Sequence, residues 1–161
     1  MADVALRPAV DLDAESVAGI WHAGWIDGHR GFVPEDLLVH RTKGSFDLRA
    51  RERIGDCTVA VSAGNVVGFV MVVADELEQL YVDRSARGTG AADVLIGAAE
   101  RAIARDHDVA WLAVVAGNAR ARRFYERTGW VDAGPIEYEA ATAEGTFPVP
   151  SHRYEKRLRT G

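Results

Sequence analysis

Gly88-Thr89-Gly90 is the first place in this sequence where residue types and spacing suggest chemistry. It follows an apolar run, Leu77 to Val82, and precedes a helical pattern. A glycine turn between a strand and a helix can cradle a phosphate. Backbone N–H groups approach the ligand closely there, and the helix start adds the positive end of its dipole. Arg84 and Arg87 add charge beside it. The same letters also suit a plain tight turn into a helix. Two nucleotide motifs match poorly. No Gly-Lys-Ser/Thr of a P-loop occurs, and Asp93 stands where Gly-x-Gly-x-x-Gly needs its third glycine. Asp108 lies about 20 residues on, but it precedes the next strand instead of ending it. Cys57 has no histidine partner at a useful spacing and reads as a small buried residue. His22 and His29 lie seven apart, but no His-Glu-x-x-His occurs, and no metal site is expected.

The elements that must position this turn can be read from periodicity. Val4 to Val10 reads as a first strand, and Asp11 or Asp13 caps the helix after it. Val17, Ile20, Trp21 and Trp25 fall at helical spacing, and Pro34 opens a second helix from Glu35 to His40. Thr42 to Arg53 is polar and receives no assignment. Thr58 to Ser62, Val66 to Val73 and Leu77 to Val82, separated by turn residues, read as three antiparallel strands. Val94, Leu95, Ala98, Ala102 and Ile103 form the apolar stripe of the helix that leaves the glycine turn. Ala110 to Val115 is a buried strand, and Asn118 caps a short helix, Ala119 to Arg127, with Gly129 behind it. Trp130 to Ala133, Thr146 to Val149 and His152 to Leu158 are the last strands. This is a mixed α/β sheet and not a doubly wound parallel one.

Composition bounds the function. At 161 residues the chain, 1–161, is expected to form a single domain. The net charge of −5 does not suit a protein that coats nucleic acid or anionic lipid. No stretch approaches about 20 uninterrupted apolar residues, so no membrane partner is expected. One cysteine excludes an internal disulfide framework and suits a reducing compartment. The expectation is a soluble cytoplasmic protein.

Two motifs carry a family resemblance. Arg87-x-x-Gly90-x-Ala92 resembles the acetyl-coenzyme A signature of the GCN5-related N-acetyltransferases (GNAT). About 30 residues later, Asn118-x-x-Ala121-x-x-Phe124-Tyr125-x-x-x-Gly129-Trp130 resembles the second half of the same pattern, in the family's order and spacing. The resemblance is clear from about Val66 to Trp130. It implies a mostly antiparallel central sheet of six to seven strands flanked by about four helices. A V-shaped splay would separate the two central strands, here Leu77 to Val82 and Ala110 to Val115. It further implies acetyl-CoA as cosubstrate, with main-chain contacts from Leu80, Tyr81 and Val82. Gly88, Gly90, Ala91 and Ala92 would offer N–H groups to the pyrophosphate, with Arg87 and Thr89 in the same cofactor site. Asn118 would lie beside the pantetheine arm, and Phe124 and Tyr125 would also contact the cofactor.

The implied reaction is direct acyl transfer from the thioester to an amine of a small molecule or peptide. Tyr125 matches the family tyrosine proposed to protonate the leaving thiolate. The Leu80 N–H is the donor for the developing oxyanion by family position. Glu76 and Glu78 have the same parity on one strand and are the candidate bases. Glu78 lies deeper in the strand and is favoured, while Glu76 has the spacing of the histone-acetylating branch. The glutamate of the peptide N-terminal branch would fall at Ala113, which argues against that substrate class. Trp25 and His29 belong to the segment that walls the acceptor pocket in this family, and are the candidate substrate contacts. Tyr138 and Tyr154 rank lower. The rival reading is a non-catalytic acyl-CoA sensor or interaction module on the same fold. A homodimer through the C-terminal strands is left open.

Overall fold

The computed structural model describes residues 3–159. The chain runs β1 (Ala5–Pro8), α1 (Ala14–His29), α2 (Glu35–His40), α3 (Lys43–Arg53), β2 (Cys57–Ser62), β3 (Asn65–Val73) and β4 (Glu76–Val82). It continues with α4 (Ala91–Ala104), β5 (Val109–Val115), α5 (Ala119–Arg127), β6 (Val131–Thr142) and β7 (Gly145–Arg157). All seven strands join one sheet in the order β1-β2-β3-β4-β5-β7-β6. Every neighbouring pair is antiparallel except β4 with β5.

Helices cover both faces of the sheet. On one face Trp21 and Trp25 of α1, Leu37 of α2 and Phe46 of α3 bury against Val59, Phe69 and Met71. On the other, Leu95, Ile96, Ala99 and Ile103 of α4 and Tyr125 of α5 bury against Val70, Leu77, Leu112 and Tyr154. Each large apolar side chain removed from water contributes roughly 1.5–3 kcal/mol, so the two faces clamp the sheet between them. The buried stripe of α4 differs from the one expected. Val94 is 38% exposed, and Ile96 and Ala99 turn inward instead. Among the described residues no helix is long and apolar enough to cross a membrane.

Two segments depart from the sequence expectation. The unassigned stretch after Thr42 is α3. Its buried side is only Phe46 and Ala50, four apart, and the rest is polar. Its start is capped, with the Thr42 hydroxyl accepting the Ser45 N–H at 3.1 Å. The C-terminal strands number two, not three, and form one long hairpin. Pro148 and Pro150 do not interrupt β7. The Pro150 carbonyl accepts the Ala116 N–H at 3.1 Å on the β5 side. Main-chain direction alternates along a strand, so the nitrogens of both prolines face away from β6 and cost its ladder nothing.

Candidate active site

The cleft exists because one strand pair fails to continue. β4 and β5 pair only at Glu76 and Trp111. The Trp111 N–H donates to the Asp75 carbonyl at 3.0 Å, and beyond that point the strands separate. The separation opens a cavity of about 1300 Å³. That exceeds the roughly 300–1,000 Å³ of a single small-molecule site, so there is room for two reactants.

Register decides which backbone groups face the opening. The Asp83 N–H donates to the Val67 carbonyl at 2.7 Å, Val82 stands opposite Gly68, and Tyr81 opposite Phe69. Hydrogen-bonded and outward-facing pairs alternate along an antiparallel ladder. The main chain of Tyr81 is therefore spent on β3, while the N–H and C=O of Leu80 and Val82 point toward the splay. Of the three residues expected to offer main-chain contacts, Leu80 and Val82 have theirs facing the splay, and Tyr81 has its own paired with β3. Met71 pairs with Gln79 and Val72 with Leu77, so Glu78 has no partner on β3 and forms a bulge.

The glycine turn meets the demands of an anion cradle at most of its positions. Gly88 and Gly90 take φ of 79° and 88°, where a side chain would be strained. Gly90 caps α4 without a side-chain bond, so the amides that open the helix, at Ala91 and Ala92, have no intrahelical acceptor. Thr89 is different. It does not line the cavity, its hydroxyl donates to the Ala86 carbonyl at 2.5 Å, and its N–H donates to the same oxygen at 3.3 Å. Arg87 lines the cavity, but its guanidinium shares the Asp27 carboxylate with Arg84, at 3.2 and 2.9 Å. The two arginines hold Asp27 below the usual carboxylate range, Arg84 most strongly.

Across the splay stand the residues of α5. The Asn118 side chain caps the helix, accepting the Ala121 N–H at 3.1 Å through Oδ1. Tyr125 is buried, with its ring against Phe124, Trp130 and Tyr154. Burial pushes its phenol well above the ordinary value, so it keeps its proton through the neutral range. Asn118, Phe124 and Tyr125 all line the cavity. Arg122 instead braces the sheet, donating to the Tyr154 hydroxyl, the Ala116 carbonyl and Asp132.

Both candidate bases line the same cavity, in different company. Glu78 is ion-paired with Arg53 of α3. Glu76 accepts the Tyr138 hydroxyl at 2.7 Å. Burial raises the proton affinity of Glu76, the Tyr138 bond opposes that, and neighbouring Glu78 and Asp75 add to it. Trp25 and His29 are stacked at 4.5 Å. The His29 Nδ1 lies 2.9 Å from the Trp25 carbonyl, which can only accept, so Nδ1 carries the proton. Burial lowers His29 to about 4, and it is neutral at pH 7. Cys57 is buried and its thiol is pushed up to about 12, which leaves it inert.

The sequence reading did not single out Arg41, Arg49 or Arg53, and it placed Tyr138 behind Trp25 and His29. All four line the cavity. For Arg53, a recognised α3 was the available signal. Tyr138 meets Glu76 across 62 residues, and no local spacing reports that contact. Among the described residues no group of three His, Cys, Asp or Glu side chains could hold a metal ion.

The fold is shared with solved acetyltransferases. A GCN5-related N-acetyltransferase from Rhodopseudomonas palustris matches with a TM-score of 0.75 at 21% identity, over 98% of this chain and 97% of that one. The PaiA N-acetyltransferase of Thermoplasma acidophilum, solved with coenzyme A, matches with a TM-score of 0.68 at 16% identity, covering 96% of this chain and 99% of that one. YncA of Salmonella typhimurium, solved with its cofactor acetyl-CoA, matches with a TM-score of 0.73 at 14% identity, covering 98% and 95%. Among curated proteins none matches significantly. The family model of the Acetyltransferase (GNAT) family matches residues 24–130, which span the opened strand pair, the cradle and α5, and the chain belongs to that family.

Proposed function

We propose that this protein transfers an acetyl group from acetyl-CoA to a primary amine of a small molecule or peptide, by direct attack with both reactants in the cleft. The observation that carries this reading is the single β4–β5 pair. It leaves the donors of Leu80 and Val82 aimed into a cavity bounded by the glycine cradle and by Tyr125. Two fold relatives solved with coenzyme A or acetyl-CoA support it.

The residues present fit that cosubstrate. The open amides of Ala91 and Ala92, with the helix dipole, suit a pyrophosphate. The outward main chain of Leu80 and Val82 suits an amide-bearing arm. Acetyl-CoA, when bound, supplies an acetyl group activated as a thioester.

This chain must then handle charge at three points. The acceptor amine must lose a proton, which costs about 4.6 kcal/mol at pH 7 for a lysine-like amine. Glu76 takes that proton. Burial makes it more basic than a free carboxylate, and its bound partner is a neutral phenol, whereas Glu78 is committed to Arg53. The Leu80 N–H faces the negative charge that develops on the carbonyl oxygen. The Tyr125 phenol donates a hydrogen bond to the departing sulfur. At ordinary values a phenol near 10 is only about 2 kcal/mol from protonating a thiolate near 8.5. Burial adds to that gap and disfavours full proton transfer, so the phenol acts through the hydrogen bond that stabilises the departing sulfur.

A panel of amines assayed with acetyl-CoA by thiol release tests the proposal. Turnover with at least one amine, cut by about 10²-fold or more in Tyr125→Phe, is the expected result. Tight acetyl-CoA binding without transfer to any amine would overturn it in favour of a sensor.

A further inference from the structure

We infer that the acceptor end of the cleft is an anion site, and that the amine acetylated here carries a carboxylate. The inference rests on the acetyltransferase reading above and names its acceptor class.

Three arginines gather at this end. Arg41, just after α2, is 6% exposed. Its Nε is buried without a partner, and its guanidinium lies 5.8 Å from the Trp25 ring. Arg49 of α3 lies 4.3 Å over the Trp21 ring and 5.4 Å from Phe46, with Nη1 buried and unpartnered. Among the described residues neither guanidinium has a carboxylate partner. Arg53 does, in Glu78 and Asp56, yet its Nη2 is also buried and unpartnered. All three line the cavity.

Such an arrangement is costly without a counterion. A buried charge left unpaired, or a buried donor left unmade, is strongly destabilising. Each of the three withholds a buried donor from the protein, and the groups facing them supply little compensation. Glu78 is taken by Arg53, Tyr81 is a protonated phenol, and His29 is neutral. Burial lowers Arg49 to about 10, still far above neutrality, and lowers Arg41 in the same direction. Both stay cationic at pH 7.

The geometry fits a carboxylate. Arg49 lies over the Trp21 ring at 4.3 Å and Arg41 lies 5.8 Å from the Trp25 ring, so aromatic contacts and not carboxylates hold both guanidiniums at the cavity wall. A guanidinium fork pairs well with the two oxygens of a carboxylate, and two such cations line this end of the cavity. This site is not the cradle. The cradle has its own arginines, Arg84 and Arg87, which are both bound to Asp27.

The test uses the full chain and matched acceptors: amino acids, the amino alcohols with the same side chains, and aminoalkyl phosphates. The wild type should prefer the carboxylate over the alcohol by about ten- to a hundred-fold in kcat/KM, the range expected for hydrogen bonds between charged groups. Arg49→Gln and Arg41→Gln should bring that ratio close to one. The acetyl-CoA KM reports whether each variant is folded. Arg49 is less buried than Arg41, so its variant keeps the test open if Arg41→Gln does not fold. A stronger preference for the phosphate would support the anion site and replace the carboxylate with that acid. Equal use of alcohol and acid, with no response to Arg49→Gln, would overturn the anion site alone. No transfer to any amine would overturn the acetyltransferase reading. Calorimetric binding of amino acids, lost in Arg49→Gln, would then still decide the anion site.

Discussion

The Tyr138 hydroxyl donates to the Glu76 carboxylate at 2.7 Å, tying the long β6–β7 hairpin to the one residue where β4 still pairs with β5. Glu76 therefore sits at the hinge of the splay, and its proton affinity is set from two directions. Burial raises it and the phenol lowers it. Tyr138→Phe removes the lowering contribution. The Glu76 carboxyl should then titrate at higher pH, and the acidic limb of kcat/KM should move up. A pH–rate profile of the variant checks this. A limb that stays in place or moves down would remove Glu76 as the base.

Tyr125→Phe should separate chemistry from binding. The ring stays packed against Trp130 and Tyr154, so unfolding by urea should change little. The acetyl-CoA KM should hold within a few-fold while kcat falls by about 10²-fold or more. Because burial raises the wild-type phenol, no activity should be lost to its ionisation up to pH 10. An equal loss in KM and none in kcat would mean that the hydroxyl only binds.

The cradle makes a contrast between adjacent residues. Gly90→Ala forces a side chain into the left-handed region, which costs about 1–2 kcal/mol, and shifts the amides that open α4. Acetyl-CoA should bind the variant at least several-fold more weakly. Thr89→Ala should leave the affinity unchanged, because the Thr89 hydroxyl and N–H both go to Ala86. Isothermal calorimetry compares the two variants.

His29 predicts a pH dependence of stability. Its folded pKa is about 4, against 6.5 for the free imidazole. Between those values the unfolded chain binds a proton that the folded chain refuses, so stability falls as pH drops from about 6.5 toward 4. The full loss is on the order of 3 kcal/mol. His29→Phe keeps a ring against Trp25 and removes the titration. Urea unfolding of wild type and variant between pH 4 and 7 should converge at the acid end relative to neutrality.

Local signals carried most of the cleft into view. Gly90, Asn118 and Tyr125 belong to short motifs whose spacing reflects one turn and one helix, and the structure places all three on the cavity. What stayed hidden depends on distant partners. Glu78 meets Arg53 across 25 residues. The α3 that brings Arg53 there buries only Phe46 and Ala50, which is too thin a stripe to stand out from its polar neighbours. β6 runs on past Ala133, through Gly134 and Pro135, to Thr142. β6 is an edge strand, and Pro135 shares the outward parity of the prolines opposite, so its missing N–H costs no ladder bond. The bulge at Glu78 is likewise invisible to simple alternation, since it arises from the pairing with β3.

We propose that outward main-chain groups of β4 and the start of α4 hold acetyl-CoA. Backbone amide NMR during titration with coenzyme A tests it residue by residue. Leu80, Val82, Gly90, Ala91 and Ala92 should shift strongly, while Tyr81 and Thr89, whose N–H groups are already used within the chain, shift least. Saturable binding that leaves Leu80, Val82 and the cradle amides unmoved would contradict the account.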